Sequence, residues 1–547
     1  MSLSLFRFLL REMPTWKGRV VAASMVSGLS RGLVLTVING AATLAAKGAF
    51  RIDYAAAFLA VMAIHLTANY YALSRAQMMV AGMIRRLRMR ICNKVLYTNL
   101  RYVESRGVGE IYSRLIADVQ QLSTSARVLL KAFEAGILLL FCLIYIGWLS
   151  LPGLLATLVT MAAGVCVYLF QGNKARSRLA LSRLKEAEFC NAVSDLLRGF
   201  KEVKVNRARQ TALDGYLDDV AVEFRDLNVS AELMMIRNTV TSQGFIFAMI
   251  AVLVFVLPHL FTTQSTTIFL FLAAIFFMIG PLELLVTSLP AMSRGRVALQ
   301  NVQLLEDDLN RAISAHENRA AQVAPMTFQV LRLENLHFRF ESDESDDRFD
   351  LGPVNLALRR GEILFLVGGN GSGKTTFLKL LSGLYAPDGG RILVDGKPFP
   401  VSQYQSYREM FSTVFSDFHL FRRLYGIVMS DGERLARLLH TLQLDDKTHY
   451  ENGEFTTIEL STGQRKRLAF AVACLEDRQI YVFDELAADQ DPGFRRFFYR
   501  DLLPELRRQG KTIIAATHDD HYFDAADRVL KLDYGRIVEQ EVYRATA

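Results

Sequence analysis

Residues 368–375 read Gly368-Gly369-Asn370-Gly371-Ser372-Gly373-Lys374-Thr375, and this stretch decides how the second half of the chain folds. It matches the phosphate-binding loop, in which a glycine, four variable positions and Gly-Lys-Thr join a strand to a helix. The apolar run Ile363–Val367 precedes it, and a helical pattern begins at Phe377–Leu381. Backbone N–H groups of such a turn hold phosphate oxygens at the positive end of the helix. We therefore expect Lys374 to reach the β- and γ-phosphates of a nucleotide and Thr375 to ligate Mg²⁺.

Apolar residues divide the chain into two parts. The mean hydropathy is +0.20, which is high for a soluble protein of 547 residues. A helix needs about 20 apolar residues to cross a bilayer core, and six blocks before residue 290 qualify. These blocks span approximately 20–46, 54–80, 129–149, 151–171, 239–262 and 266–289. After residue 290 the pattern changes to alternating strands and helices.

The connectors between the apolar blocks predict the orientation of the chain. The two long connectors, about 82–128 and 172–238, are rich in arginine and lysine and have a helical pattern. Basic connectors stay in the cytoplasm, so we expect both long connectors, both termini and the nucleotide-binding part there. The net charge of +8 is explained by these segments beside anionic lipid, and we expect no nucleic-acid partner. Breaks at 107–110 and 199–202 are predicted to dock on the ATP-binding part.

Charged residues inside the spans cost about 2.5–3.5 kcal/mol each at the centre of a helix. Arg31 and Glu283 lie within apolar blocks, and Glu134 lies nearer the end of one. They either line a polar substrate cavity or pair with each other, or Glu283 lies at the cytoplasmic edge of the membrane. Pro281 is expected to kink the sixth helix.

Two further segments are suited to contact a γ-phosphate. Leu460–Gln464 opens a helix, where Ser461 offers a hydroxyl and Gly463 a backbone N–H. Thr512–Thr517 is a predicted buried strand that ends at His518, whose imidazole is placed to sense the γ-phosphate.

Two adjacent carboxylates and one aromatic residue complete the expected site. The apolar strand Ile480–Phe483 ends in Asp484, placed to hold Mg²⁺, and Glu485, placed to orient and polarise the attacking water. Phe340 lies 28 positions before Gly368. It either stacks on the adenine ring or packs in the core at the end of a strand.

In this order and spacing, the four segments resemble the ATP-binding cassette of ABC transporters, and six spans before one cassette resemble an exporter half-transporter. Asp484–Pro492 and Thr517–Phe523 are similar to the bacterial cyclic-peptide and siderophore-peptide exporters, the family of the pyoverdine-precursor and lipopeptide exporters. Phe498-Tyr499 and Leu502–Pro504 fit the same family.

The chain departs from the general cassette pattern at two loops. Within Val414–Phe418, Ser416 stands where exporters usually have a glutamine that reaches Mg²⁺. A serine reaches less far, so its contact with the metal would pass through water. The loop Ala488–Asp491 replaces the usual Ser-Ala-Leu-Asp and keeps the acidic end at Asp491. Phe340 stands where the family usually has tyrosine, and it keeps the ring.

The resemblance implies a fold and a set of site residues. The fold is an α-helical six-span transmembrane domain of the type I ABC exporter kind, residues 1–315, a linker, 316–325, and an α/β phosphate-loop nucleotide-binding domain, 326–547. The residues expected to bind ATP are Phe340, Gly368, Gly369, Asn370, Gly371, Ser372, Gly373, Lys374, Thr375, Thr376, Ser461, Gly463, Gln464 and Asp491. Glu485 and His518 are expected to be catalytic, and Thr375, Asp484 and Ser416 to hold the metal.

The expected function is ATP-driven export of a small peptide across the bacterial inner membrane. The cofactors are ATP and Mg²⁺, and the partners are a second copy of the chain, membrane lipid and a peptide or siderophore-like cargo. A homodimer is implied because, in this fold, the signature segment 460–464 of one cassette completes the phosphate site of another. A lipid or glycolipid flippase has the same architecture and remains an alternative. A soluble ATPase acting on nucleic acid or ribosomes is disfavoured by the six apolar blocks.

Overall fold

The structure is a computed structural model that describes residues 8, 12, 17–45, 48, 51–256, 265–313, 326–341, 348–398, 404–427 and 432–543. The expected linker at 316–325 lies outside the described residues. Two compact units are present. The first unit combines Met1–Met89 with Arg114–Gln303, and the second combines Arg90–Ser113 with Leu304–Ala547.

Long helices make up the first unit, and six helices among the described residues have the length and composition to cross a membrane. The first two apolar blocks lie in α1 Lys17–Ala45 and α2 Ile52–Leu96. The helices of the first long connector and third block are α3 Leu100–Arg106 and α4 Val108–Ser113, which belong to the second unit, and α5 Val119–Leu149, preceded by a π-helical turn at Arg114–Asp118. The remaining helices are α6 Leu151–Arg198, α7 Phe200–Val205, α8 Arg207–Ala251, followed by a π-helical turn at Val252–Val256, and α9 Ser265–Ala312.

The membrane helices continue well beyond the apolar blocks that predict them. Helix α2 has 45 residues, which at 1.5 Å per residue is about 68 Å, roughly twice the thickness of a bilayer core. The basic connectors therefore form helical extensions of the spans, because their residues favour helix and contain few breakers. The short helix α3 that follows α2 is capped at both ends: Asn99 accepts a hydrogen bond from Tyr102 N at its start, and Gly107 has φ 76° at its end.

Small residues let two spans approach closely. A Cβ atom at Gly32 of α1 would lie 2.3 Å from Cδ1 of Phe141 of α5, and one at Gly28 would lie 2.8 Å from Ile137. Helices in membranes commonly pack through such small residues because no bulk separates their backbones. On the other side of α5, Ser150 caps α6 by accepting a hydrogen bond from Gly153 N, which confirms the tight turn expected between the third and fourth spans.

The second unit holds a six-stranded sheet, a four-stranded sheet, a two-stranded hairpin, and the helices that cover them. Its first strands are β1 Val330–Glu341, β2 Arg348–Arg359, β3 Ile363–Val367, β4 Gly389–Val394, β5 Lys397–Pro398 and β6 Phe411–Val414. The later strands are β7 Tyr450–Glu451, β8 Glu454–Phe455, β9 Ile480–Asp484, β10 Thr512–Ala516, β11 Arg528–Asp533 and β12 Arg536–Val542. The helices are α10 Lys374–Leu381, α11 Tyr404–Arg408, α12 Gly432–Thr441, α13 Thr462–Glu476, α14 Pro492–Phe497 and α15 Leu503–Arg508, with a π-helical turn at Phe498–Leu502 and a 3₁₀ turn at Asp520–Ala525.

One sheet positions the expected site. Its strand order is β12-β11-β3-β10-β9-β6, and all neighbours pair in parallel except β11 and β12. Both faces are buried: Phe365 and Phe483 pack on one side, and Leu364 and Val482 on the other. Burial on both faces explains why these strands are continuous apolar runs in the sequence. Their carboxyl ends lie together, which is where open parallel sheets bind ligands.

The four-stranded sheet is antiparallel and has the strand order β2-β1-β4-β5. In β1 and β2, Phe340 is paired in register with Phe349.

Candidate nucleotide site

The phosphate loop has the backbone that its glycines allow. Gly368 has φ 153° and Gly373 has φ 101°, both in the region that favours glycine. A Cβ atom at Gly368 would lie 2.2 Å from the carbonyl oxygen of Leu532, and one at Gly373 would lie 2.7 Å from the ring of Phe349. Any other residue at these two positions would therefore displace the loop. Gly373 is also the N-cap of α10, so the loop delivers its N–H groups to the start of a helix.

The side chain of Lys374 is held against the backbone of the phosphate loop. The ammonium group of Lys374 donates to the carbonyl oxygens of Gly368, at 2.9 Å, and Gly369, at 3.2 Å. It lies 3.9 Å from a carboxylate oxygen of Glu485. A charge at this point is placed to stabilise phosphate oxygens that enter the loop.

A cavity of about 500 Å³ opens over the loop. The lining residues are Phe340, Phe349, Asn370, Gly371, Ser372, Gly373, Lys374, Thr375, Thr376, Tyr385 and Glu485. Phe340 thus belongs to the wall of the cavity, as required for stacking on a base, while it also packs against the core. Phe349 was missed in the sequence, and its position follows from its pairing with Phe340 across β1 and β2.

The three side chains expected to hold the metal lie together, because two of them bond to the carboxylate of the third. Oδ2 of Asp484 accepts hydrogen bonds from the hydroxyls of Thr375, at 2.8 Å, and Ser416, at 3.1 Å. The other oxygen of Asp484, Oδ1, is buried and has no hydrogen-bond partner among the described residues. A buried carboxylate with a free oxygen beside two hydroxyls is a donor set that fits Mg²⁺, which prefers oxygen ligands. Ser416 therefore reaches the same carboxylate directly, although its side chain is shorter than the usual glutamine.

Glu485 and His518 follow neighbouring strands and face each other. Nε2 of His518 lies 3.2 Å from Oε1 of Glu485, because β9 and β10 end side by side. Glu485 has φ 54°, a left-handed conformation that is uncommon outside glycine and occurs often at active sites. Its N–H donates to the carbonyl of Ala516 at 3.1 Å, which fixes the turn. The arrangement directs the carboxylate into the cavity over the phosphate loop.

The signature segment, residues 460–464, is not part of the described lining of the nucleotide cavity. Ser461 caps α13 in a reciprocal capping box with Gln464, in which Ser461 N donates to Oε1 of Gln464 at 3.1 Å. The end of α13 that carries Ser461 is exposed. A single chain thus presents a phosphate loop and a signature segment as two separate surfaces.

Asp491 is also absent from the described lining of the cavity. It is the N-cap of α14, where Phe494 N donates to its Oδ1 at 2.9 Å, and Arg467 donates to its Oδ2 at 2.6 Å. The Phe494 N–H and the nearby guanidinium hold the pKa of Asp491 below its usual value. The structure assigns Asp491 a capping contact within the chain, and its expected contact with ATP remains a prediction.

A buried lysine joins α13, the helix that begins in the signature segment, to the turn that carries Glu485. Lys466 is 6% exposed, and its Nζ donates to the carbonyl oxygens of Glu485, at 2.8 Å, and Ala488, at 3.3 Å, and pairs with Asp489 at 3.0 Å. No role for Lys466 was predicted from the sequence. The signal was present, because Lys466 lies on the helix face of buried Phe470, and a lysine on an apolar face requires partners.

The chain just before the first break in the helical connectors contacts the ATP-binding part, as expected of the chain near that break. Glu104 of α3 accepts a hydrogen bond from Lys379 of α10 at 2.7 Å and another from the hydroxyl of Tyr385. Burial and the adjacent carboxylate of Glu104 raise the pKa of Tyr385. Arg101 lies over the ring of Phe338 at 5.7 Å. Since Tyr385 also lines the nucleotide cavity, α3 touches a wall of that cavity.

The six membrane-crossing helices and the phosphate-loop site define an ATPase embedded in a membrane. Comparison with known proteins gives its family. Residues 22–282 match the family model described as ABC transporter transmembrane region, and residues 351–488 match the family model described as ABC transporter. The chain is 35% identical over 465 residues to the ATP-binding protein SyrD of Pseudomonas syringae pv. syringae, covering 83% of this chain and 82% of that protein. The chain therefore belongs to the ABC transporter family.

Other relatives are more distant. The ATP-dependent lipid A-core flippase of Dechloromonas aromatica is 26% identical over 483 residues, covering 84% of this chain and 80% of the flippase. Among solved structures, a bacterial Atm1-family ABC exporter with ATP bound superposes with a TM-score of 0.78 at 19% identity, covering 97% of this chain and 96% of the exporter. This likeness shows the exporter fold. The protein is a multi-pass membrane ATP hydrolase whose ATP hydrolysis is coupled to transport.

Proposed function

We propose that this protein exports a small peptide, of the cyclic, lipopeptide or siderophore-precursor kind, across the bacterial inner membrane. The observation that carries the proposal is the pair of stretches Asp484–Pro492 and Thr517–Phe523, which resemble the cyclic-peptide and siderophore-peptide exporters. The greater identity to SyrD, 35%, than to the flippase of Dechloromonas aromatica, 26%, supports placing this chain outside the flippase group.

The working unit in this proposal is a homodimer with two ATP molecules between the subunits. The separation of the signature end of α13 from the described lining of the nucleotide cavity supports it, because the partner's signature would then complete each site. Backbone N–H groups of α13 and the hydroxyl of Ser461 would bind the γ-phosphate from the partner's side. Closure of the two cassettes on ATP would change the contacts of α3 and of the spans that continue from it.

The residues of one chain have distinct tasks in hydrolysis. Backbone N–H groups of the loop and Lys374 bind and orient the β- and γ-phosphates. Asp484, Thr375 and Ser416 would hold Mg²⁺, which neutralises charge on the phosphate oxygens when bound. Glu485 accepts a hydrogen bond from the attacking water and orients it towards the γ-phosphorus, and His518, 3.2 Å away, orients Glu485.

Transport into inverted membrane vesicles tests the proposed cargo. A fluorescent N-acyl cyclic peptide is expected to accumulate in vesicles that contain the wild-type protein only when ATP and Mg²⁺ are present, and Glu485→Gln vesicles serve as the control. A lipid flippase remains the second candidate because several relatives, at 23–26% identity, are ATP-dependent lipid A-core flippases. Movement of a labelled lipid with no peptide accumulation would replace the first proposal by the second.

A further inference from the structure

Charged residues within the membrane-spanning helices lie in two different cavities. Glu283 lines a cavity of about 110 Å³ between α6, α8 and α9. Arg31 and Glu134 line another, of about 330 Å³, together with Lys131 and Asn69, and α1, α2, α5 and α9 form its walls. No ion pair within 4.0 Å joins Arg31 to Glu283 among the described residues. The second cavity matches the polar cavity expected for Arg31 and Glu134, and a position of Glu283 at the cytoplasmic edge of the membrane stays a prediction.

The carboxylate of this polar cavity is already held by the protein. Ser27, which is fully buried, donates from Oγ to Oε1 of Glu134 at 2.6 Å. Nδ1 of His65 lies 3.0 Å from the carbonyl oxygen of the same serine and 3.3 Å from its hydroxyl. The contacts of α1 and α2 therefore fix the position of Glu134 on α5.

The cations of the polar cavity lack such partners. Neither Arg31 nor Lys131 forms an ion pair within 4.0 Å in the part of the chain that the structure describes. The amide oxygen of Asn69 is buried and has no hydrogen-bond partner among the described residues. Two cations and one carboxylate give the lining an excess positive charge, and charge in a low-dielectric bundle attracts a counter-charge strongly. Ionisable residues within spans are expensive and mark sites of function.

The depth of the polar cavity suits cargo that enters from the cytoplasm. At 1.5 Å per residue, Arg31 is about 21 Å from the outer end of α1, and Lys131 is about 27 Å from the outer end of α5. With those helix ends at the outer surface of a bilayer core about 30 Å thick, both cations would lie in its inner half. A volume of about 330 Å³ is at the lower end of ligand pockets in general, which is enough for one acidic side chain or head group rather than for a whole peptide.

We infer that this cavity binds an acidic group of the cargo, a carboxylate of the exported peptide. Arg31 and Lys131 donate to its oxygens, and Asn69 accepts a hydrogen bond from an adjacent N–H of the cargo. Glu134, held by Ser27, lines the same cavity, and its negative charge disfavours the entry of a second acidic group. The inference rests on the proposed export of peptides and names a chemical requirement for the cargo.

The test compares two probes that differ in one charge. The full-length protein is reconstituted in phosphatidylcholine nanodiscs, and its ATPase activity is measured with an N-dodecanoyl hexapeptide bearing one aspartate and with its asparagine analogue. The aspartate probe is expected to half-saturate the stimulation at a concentration about tenfold lower than the analogue does, the scale of one charge-assisted contact. A third arm uses phosphatidic acid in place of the peptide.

Variants locate the effect in the polar cavity. Arg31→Gln and Lys131→Gln are each expected to bring the ratio of the two half-saturating concentrations close to one. Lys131→Arg, which keeps the charge, is expected to retain the ratio and so controls for loss of folding. Arg127→Gln is the matched control, because Arg127 lies one turn before Lys131 on α5 and is not in the described lining of the cavity.

Three outcomes decide the matter. A ratio that is lost in Arg31→Gln and Lys131→Gln but kept in the controls supports the inference. Equal responses to both peptides in the wild type, while peptide transport proceeds, would overturn the inference and leave export standing. A charge-dependent response to phosphatidic acid alone, lost in the same variants, would support an acidic-group site and overturn the peptide as its source, and with it the proposed cargo.

Discussion

The ammonium group of Lys466 donates a hydrogen bond of 2.8 Å to the main-chain carbonyl of Glu485. One buried side chain thus joins the signature helix α13 to the backbone of the expected catalytic residue. The same ammonium contacts Ala488 and Asp489 in the following loop. A shift of α13 would therefore be transmitted to the turn that carries Glu485, within one chain.

Replacing Lys466 by methionine is expected to slow ATP hydrolysis. The substitution keeps the length of the side chain and removes its charge, so the carbonyls of Glu485 and Ala488 lose their donor and the carboxylate of Asp489 loses its cation. We expect kcat to fall roughly tenfold through misplacement of Glu485, with little change in the KM for ATP because Lys466 does not line the described cavity. The free energy of unfolding is expected to fall by about 1.5–3 kcal/mol, the range for hydrogen bonds to charged groups. Steady-state kinetics over a range of ATP concentrations and thermal unfolding measure the two effects.

A surface lysine provides the control for that variant. Lys447 pairs with Asp446 in a largely exposed position, so Lys447→Met is expected to change neither quantity measurably. If Lys466→Met lowered stability and left kcat unaltered, Lys466 would be a structural residue with no part in positioning Glu485.

Asparagine at position 484 is expected to weaken the binding of Mg²⁺ at the nucleotide site. Asp484→Asn removes the negative charge to which Thr375 and Ser416 donate. The Mg²⁺ concentration for half-maximal hydrolysis should rise by about 10- to 100-fold or more. Titrating Mg²⁺ at fixed ATP gives this value, and Asp533→Asn, on an exposed position of β11, is the control. An unchanged titration curve would rule out Asp484 as a metal ligand.

Glutamine at position 485 is expected to separate ATP binding from hydrolysis. Glu485→Gln keeps the size of the side chain and removes its basicity, so hydrolysis should fall by about 10²- to 10⁴-fold, the contribution of a positioned base. ATP binding, measured with a fluorescent analogue, should remain. The exposed Glu459→Gln serves as the control. Turnover close to the wild-type rate would exclude Glu485 from the reaction.

Removing the charge of Glu104 is expected to uncouple cargo from hydrolysis. The contact of α3 with Lys379 and Tyr385 joins a helical connector to a wall of the nucleotide cavity. In Glu104→Gln the stimulation of ATPase activity by cargo should fall about fivefold or more, the lower limit of typical coupling energies. The neighbouring Ser105→Ala should retain it, since the hydroxyl of Ser105 donates to the carbonyl oxygen of Tyr102 within α3. Stimulation that survives in Glu104→Gln would remove this contact from the coupling route.

Much of the fold and most of the nucleotide site could be predicted from the sequence because they depend on local patterns. The loop 368–375 is recognised by residue type and spacing, and strands buried on both faces are continuous apolar runs. Membrane spans are recognised by the length of an apolar run. Asp484, Glu485 and His518 could be brought together because parallel strands end at one edge.

Other features required the three-dimensional structure. Phe349 enters the nucleotide cavity through strand register with Phe340, and register is not visible in either segment alone. The assignment of Glu283 and Arg31 to separate cavities depends on how the helices pack. The residue at which each long helix ends also required the structure, because apolar content marks only the bilayer core and α2 runs on to Leu96.

The central claim is that each ATP site is built from the phosphate loop of one chain and the signature segment of another. Lys374→Ala disables the loop, and Ser461→Arg disables the signature, so each variant purified alone should hydrolyse almost no ATP. When the two variants are co-expressed, half of randomly formed dimers are mixed, and each mixed dimer contains one intact site. The account predicts that the mixture recovers about a quarter of the wild-type rate. A mixture no more active than the separate variants would contradict it.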